Sequence, residues 1–485
     1  MAALCGGCYD DKGNYSYHDI NEVVISGIDP SYTVLLGESL EINPKLMMSM
    51  DAAGNEDDYA YEWFAISNDA LATSTARQNI AATKNLNAPI AIPAGSYNAY
   101  FRVTDKNTGV NFLSPFNLNV VSSIYEGFLV LSNIGGTARL DMLSYLDNEF
   151  IQYNDVITRV GSSLPQLRNP YKVYCYPSGL SMDGDGYRIY LLSETMGTRI
   201  DPETFDYQIE YKIEYEAASL AIDNLNAQDL VRSSVLIPSA SWVYSSGNVY
   251  YAMSVLSMKY GLPVNAYPDS KPFKVAPFMA CGDMDAILFN IDDRRFVQHG
   301  FASEYCTNLN NPKDPKFDYN IGMDLIYMET NYSGWVYAIL HDGSKYHIAK
   351  FNMNAVQDHF SEIVATDFAQ ADNYAVSPDL GYLFYSVGGK VYEYDLSLKT
   401  TKLMIDKGSH EISLLTFNYF FNGGSNANYK EWRNWLIVGS YDPQGKSGEN
   451  GTLSLYHVPP VNGDLEHKYS WGGLGEIVSV TYRER

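Results

Sequence analysis

Cysteine is scarce in this chain, five in 485 residues, and the five are too scattered to form a disulfide framework. A chain of this length needs no such staples to bury a core, and it is long enough for two to four domains. Basic charge is scarce too. Against 57 Asp and Glu there are only 33 Lys and Arg, which leaves a formal charge of −24. That balance excludes nucleic acid and an anionic membrane surface as expected partners, because like charges repel. No apolar run reaches 18 residues, so no segment is expected to cross a bilayer as a helix. Charged residues make up 19% of the chain and apolar residues 46%, which excludes an acidic disordered polymer. Helical periodicity is nearly missing. Only Ala217-Ala-Ser-Leu-Ala-Ile222 reads as a helix, expected as an excursion between strands.

Catalytic signatures are missing as well. There is no G-x-S-x-G elbow, P-loop or dinucleotide fingerprint. The eight histidines show no zinc spacing, His341 and His347 standing six apart. Asp183-Gly-Asp-Gly186 fails the EF-hand pattern, since Tyr187 replaces a ligand and no Glu follows at the twelfth position, so it reads as a turn. Acidic neighbours such as Glu56-Asp57-Asp58, Asp292-Asp293 and Asp201 with Glu203 are common in a chain this acidic. They are expected in solvated loops, because adjacent residues of a strand point to opposite faces. The reading is of no catalytic residue, no metal and no cofactor.

What is abundant is tyrosine, 41 residues beside 20 Phe and 6 Trp, a composition that favours strands and wet binding faces. Residues 9–20 are polar and acidic and read as a flexible tether. Period-two alternation then begins at Val23-Val-Ile25 and recurs through Tyr59-Ala-Tyr-Glu-Trp-Phe64, Tyr97–Val103 and Phe116–Val121. About seven short strands in residues 21–122 predict an antiparallel sandwich with Trp63 at its centre.

From about residue 123 the texture changes. A glycine turn followed by a short apolar-aromatic strand recurs seven times, at Gly136, Gly186, Gly247, Gly282, Gly334, Gly389 and Gly451, about 52 residues apart on average. Strand-rich repeats of this length are the signature of propeller blades, each a sheet that cannot bury its faces alone. The expected architecture is all-β: a PKD/Ig-like sandwich over 21–122, then a β-propeller over 123–485, seven-bladed by the repeat count. Tyr382–Ser386 and Trp435–Gly439 are expected as second strands, with the Gly-x-Val-Tyr copies as third strands. Gly475–Tyr482 is the strand expected to close the ring.

The first eight residues, Met1-Ala-Ala-Leu-Cys-Gly-Gly-Cys8, carry small residues before Cys8 and read as a signal-peptide remnant with a lipobox-like cysteine. Cys5-x-x-Cys8 also has the spacing of a metal or redox pair, but no second Cys/His pair follows and the next hundred residues read as all-β. Lipidation of Cys8 is the favoured reading. Cys175, Cys281 and Cys306 read as small buried apolar residues.

The opening Cys8-Tyr-Asp-Asp-Lys-Gly-Asn-Tyr15, with Asp19-Ile-Asn-Glu-Val23, Tyr61-Glu-Trp63 and Tyr97-x-x-Tyr-Phe-Arg-Val-Thr-Asp105, resembles the PKD-like surface lipoproteins of Gram-negative gut anaerobes. The resemblance covers about residues 8–122, and the propeller only as an architecture. It implies an outer-membrane lipoprotein facing outward, held to the membrane only by its lipid, with Asp10 and Asp11 as a surface-export signal. It also implies a SusC/SusD-type importer as partner.

The longest polar-aromatic insertion, Asn418 to Arg433, breaks the strand rhythm and offers Tyr429, Trp432 and Arg433 as candidate ligand-binding residues. Ring faces stack on sugars or peptide side chains, and Arg pairs with carboxylates. The alternative is that Trp432 packs against a neighbouring blade. A second candidate is the loop Tyr305 to Tyr319. The leading reading is a non-catalytic surface lipoprotein that binds oligosaccharide or oligopeptide nutrients or scaffolds an importer. The alternatives are a propeller glycoside hydrolase or lyase with axial carboxylates, and a structural spacer or adhesin.

Overall fold

The computed structural model describes residues 20–51, 55–68, 77–121, 124–146, 148–177, 187–218, 225–234, 239–424 and 426–484. The chain divides into two compact units, 1–122 and 123–485.

In the first unit the strands Ser31–Leu35, Asn111–Val121, Gly95–Asp105, Tyr59–Ser67 and Gln78–Ala81 lie side by side in that order. Two short ribbons, Val23–Ser26 with Lys45–Met48 and Ser39–Ile42 with Leu86–Pro89, complete a sandwich. Alternation decides which face is buried: Tyr97, Ala99, Phe101 and Val103 point inward while their neighbours do not. Trp63 is fully buried, its ring 4.3 Å from that of Phe101 and its indole N–H donating to the Thr83 carbonyl at 2.8 Å. Nine strands appear among the described residues where alternation predicted about seven. Lys45–Met48 and Gln78–Ala81 escaped because they are edge pieces of four residues with little alternation.

The second unit is a β-propeller. Seven antiparallel sheets follow one another along its described residues. Their first strands are Pro170–Pro177, Asp229–Arg232, Ala280–Cys281, Asp324–Thr330, Asn373–Val376 and Glu411–Thr416, and that position in the remaining sheet is taken by Glu476–Arg483 from the chain end. This last strand pairs with Gly127–Ile134, Phe128 opposite Tyr482 and Val130 opposite Val480. It also packs against Pro170–Pro177 on one side and Glu411–Thr416 on the other, which closes the ring. Within the last sheet, where Gly451 pairs with Leu474, the backbones come very close: a Cβ on Gly451 would lie 1.7 Å from the Gly475 carbonyl oxygen.

Each glycine-led copy falls in a different sheet, but not at a constant place. The strands after Gly136, Gly247, Gly389 and Gly451 are third from the axis, whereas those after Gly186, Gly282 and Gly334 are second. The shortest step, Gly247 to Gly282, runs from the third strand of one sheet to the second of the next, and the longest, Gly389 to Gly451, spans the insertion Asn418–Arg433. Ala217 and Ala218, expected in a helix, are extended, Ala217 bridging to Tyr260 in parallel register; residues 219–224 lie outside the described residues. Among the described residues the α-helices are short, Val156–Arg159 and Ala427–Trp432. Among the described residues no helix is long and apolar enough to cross a membrane.

Candidate functional site

Where the first strands converge they leave a central cavity of about 830 Å³. Its wall is built from those strands, Lys172 to Cys175 and Tyr327 to Thr330 among them, and from neighbouring loops. Lys172 on the second sheet reaches across to Asp229 on the third, Nζ to Oδ1 2.5 Å, and its ammonium lies 5.0 Å from the Tyr174 ring. Arg232, three residues beyond Asp229, is buried between the rings of Tyr176 and Phe421 at 5.2 and 5.0 Å. Burial lowers its pKa, and Nη2 donates to Ser239 Oγ at 3.0 Å.

On the fifth sheet Tyr327 and Glu329 stand two apart and so share a face. Their side chains are hydrogen-bonded to each other, and Glu329 also accepts the backbone N–H of Val376 from the next sheet. Removal from bulk water outweighs both bonds and pushes the Glu329 carboxyl up to about 7. The turn Gly282–Asp285 adds two more carboxylates. Asp283 accepts from the Ser234 hydroxyl; Asp285 accepts from Gln298 Nε2 at 2.5 Å and is raised by burial, then by its neighbour Asp283. Tyr332, Tyr419 and Phe421 form an aromatic run, with centroids 5.2 and 5.0 Å apart, and the Tyr419 hydroxyl donates to the Ser234 carbonyl at 3.5 Å. The loop that carries Tyr419 and Phe421 is fastened by Glu484, whose oxygens accept the N–H groups of Phe421 and Asn422 at 2.7 Å each.

The insertion Asn418–Arg433 divides in two, and Trp432 packs against the neighbouring first sheet, the alternative that the sequence offered for it. Asn418, Tyr419 and Phe421 line the cavity, but Tyr429 and Trp432 do not. Both lie on the helix Ala427–Trp432, capped by Asn426, whose side chain accepts from Asn428 N at 2.9 Å. Three residues apart, they share one helix face, and that face is turned into the core. Trp432 sits 4.8 Å from Tyr145 and 5.7 Å from Trp435; Tyr429 stacks 5.0 Å from Phe420 and donates its hydroxyl to Glu126 Oε1 at 2.7 Å. Neither ring offers a free face to a ligand. Arg433, at the end of that helix, lies over Tyr332 at 4.6 Å and 4.0 Å from Asp379, a positioning residue for a cavity ring. Cys8 and Asp183–Gly186 lie outside the described residues. His347 pairs with Asp342 at 2.9 Å. Among the described residues no cluster of three metal-ligating side chains occurs.

Lys172, Asp229, Tyr327 and Glu329 were missed because nothing local marks them. They are polar residues in otherwise ordinary strand sequences, and only ring closure gives them a common cavity. The one signal on offer was Asp283-Met-Asp285, inside a repeat copy that reads simply as a turn and strand.

Residues 8–165 match the model of the PKD-like family. That span takes in the sandwich and runs on into the first strands of the propeller. Among solved structures, the chain is similar to a quinoprotein alcohol dehydrogenase-like protein of Bacteroides thetaiotaomicron, at 14% identity over 95% of this chain and 98% of that one, with a TM-score of 0.45. It is also similar to AztD of Citrobacter koseri, at 9% identity over 88% and 98%, TM-score 0.38. A third is YCF48 of Cyanidioschyzon merolae, at 10% identity over 68% and 98%, TM-score 0.35. No curated protein matches the sequence. The propeller assignment rests on the sheet order and ring closure, not on these likenesses.

Proposed function

We propose that this chain is a surface-anchored binding protein whose propeller cavity takes a neutral, polyhydroxylated ligand, an oligosaccharide, in the service of a SusC/SusD-type importer. The observation that carries the reading is the composition of the cavity wall. Tyr327, Tyr332 and Tyr419 supply rings, while Asn331, Asn354 and Asn418 supply amides that both donate and accept. Its charges are Asp229, Asp283 and Asp285 against Lys172 and Arg232, with the Glu329 carboxyl raised to about 7, so the field leans against an anionic ligand. Calorimetry of the purified chain against neutral oligosaccharides and oligopeptides tests this. Binding of peptides alone would replace the ligand class, and binding of neither, with no importer co-purifying, would refute the reading. The anchor is tested separately by mass spectrometry of membrane-extracted protein, where the expected mature N-terminus is a diacylglyceryl Cys8.

A second reading has one observation in its favour. Glu329 holds its proton near neutral pH beside a tyrosine hydroxyl in a cavity with other carboxylates, the arrangement of a general acid in glycoside cleavage. Release of reducing ends from an oligosaccharide, abolished by Glu329→Gln, would establish an enzyme. Unchanged saccharide after prolonged incubation would dismiss it.

A further inference from the structure

A second cavity, of about 960 Å³, lies on the flank of the propeller between the fourth and fifth sheets. It runs along Thr307, Asn308 and Asn310, past Lys316, to Gln357 at the edge of the fifth sheet. Three residues line both spaces: Asp285, Met353 and Asn354 face the central cavity on one side and this groove on the other. The partition is therefore as thin as single side chains. Gln298 braces it, Nε2 donating to Asp285 Oδ2 at 2.5 Å and to the Met353 carbonyl at 2.9 Å. Gly282 shows how tightly it is set: a Cβ there would meet Met353 Cγ at 2.6 Å and Asp285 Oδ1 at 2.8 Å.

The groove is a built feature rather than slack between sheets. Gln357 accepts the Lys316 N–H at 2.7 Å and donates to the Phe317 carbonyl at 2.9 Å, which pins the loop after the Cys306–Asn308 strand to the fifth sheet. Asn311 ties the same loop to itself, donating to Asp318 at 2.9 Å and accepting the Tyr319 N–H at 3.0 Å. Tyr319 is fully buried beneath it. Amides from Asn308, Asn310, Asn354 and Gln357 and the Thr307 hydroxyl face the groove together with the Lys316 ammonium, two carboxylates and five apolar side chains, a mixed wall that suits the hydroxyls and the C–H faces of sugar units. Each space is already as large as a usual small-molecule site of ~300–1,000 Å³, so the pair is oversized for a single sugar.

We infer that the central cavity and the flanking groove are one extended binding site, spanned by a linear neutral oligosaccharide that passes over the wall formed by Asp285, Gln298 and Met353. This rests on the oligosaccharide reading of the central cavity and adds to it that the ligand is a linear oligomer, with its distal units read by the Tyr305–Tyr319 loop.

Calorimetry of the full chain against malto-, cello-, manno- and xylo-oligosaccharides, each as a ladder from the disaccharide to the octasaccharide, tests the inference. In the series that binds, affinity is expected to climb on the order of tenfold or more beyond the length that fills the central cavity, before it levels. The double variant Asn310→Ala with Lys316→Ala, both exposed and so free of folding cost, is expected to remove that climb and return long members to the affinity of short ones. Asp283→Asn is expected to weaken all lengths alike. Affinity that levels at the shortest binding member, or a double variant that leaves the climb intact, overturns the extended site while the oligosaccharide reading stands. Binding of no ladder at all defeats that reading and the extended site with it.

Discussion

Glu329 makes stability depend on pH in a direction opposite to that of an ordinary surface carboxylate. Its carboxyl is at about 7 in the folded chain against an ordinary 4.5. Below 4.5 it is protonated in both states and contributes nothing to the difference. Between 4.5 and 7 the folded chain keeps the proton that the unfolded chain releases, so stability falls as pH rises, and above 7 the loss is complete. At ~1.4 kcal/mol per pH unit the whole interval amounts to ~3 kcal/mol, and water reaching the cavity reduces this to ~1–2 kcal/mol. Glu329→Gln keeps the shape and still accepts the Val376 N–H, but it cannot titrate. Urea unfolding of the full chain from pH 5 to pH 8.5 should show the variant gaining on the wild type by that amount as pH rises. The difference between the two profiles is the quantity to read, because His299 pulls the other way. Burial lowers His299 from 6.5 to about 4, with Trp242 Nε1–H donating to its Nδ1 at 3.0 Å and its Nε2 facing the Ser303 carbonyl at 2.8 Å. It must gain a proton on unfolding below 6.5, which costs stability as pH falls. Parallel profiles for wild type and Glu329→Gln would refute the claim that this carboxyl is buried as the cavity geometry requires.

The closing strand invites a graded test. Tyr482 donates its hydroxyl to Glu126 Oε1 at 2.7 Å and packs 4.8 Å from Phe128, so Tyr482→Phe should cost ~1–2 kcal/mol and Tyr482→Ala ~3–5 kcal/mol in denaturant unfolding of the propeller. Equal losses from the two would show that the ring packs less than its contacts imply. Trp432→Ala should lower stability by ~3–5 kcal/mol, whereas Tyr419→Ala should weaken ligand binding with a smaller loss of stability; the reverse pattern in paired melting and calorimetry would move the site back to the helix. Gly451→Ala puts a Cβ into the Gly475 carbonyl and should destabilise the propeller by more than Gly424→Ala, whose Cβ meets nothing within 4 Å; equal melting shifts would count against the close approach.

Much of the architecture was legible because it is written in local pattern. Alternation at Tyr97–Val103 marks one buried face of a sandwich strand, and the glycine-aromatic copies mark one strand in every sheet of the propeller. The same patterns were silent on rank within a sheet: Gly186 and Gly247 look alike but precede a second and a third strand. The insertion Asn418–Arg433 stood out as a break in rhythm, yet sequence could not say that a capped helical turn would sink Tyr429 and Trp432 while Tyr419 stayed at the cavity. An aromatic residue is equally at home in a core and in a binding wall, and the choice is made by what packs over it.

An all-β chain with a sandwich followed by repeated sheets is already readable in the residue order, since period-two burial and a recurring turn are properties of neighbouring residues. Where the cavity lies and what lines it came from long-range contacts. Lys172, Asp229, Asp285 and Glu329 come from four different sheets and meet because Glu476–Arg483 returns to pair with Gly127–Ile134. No window of sequence contains that contact, because it joins the beginning of the propeller to its end.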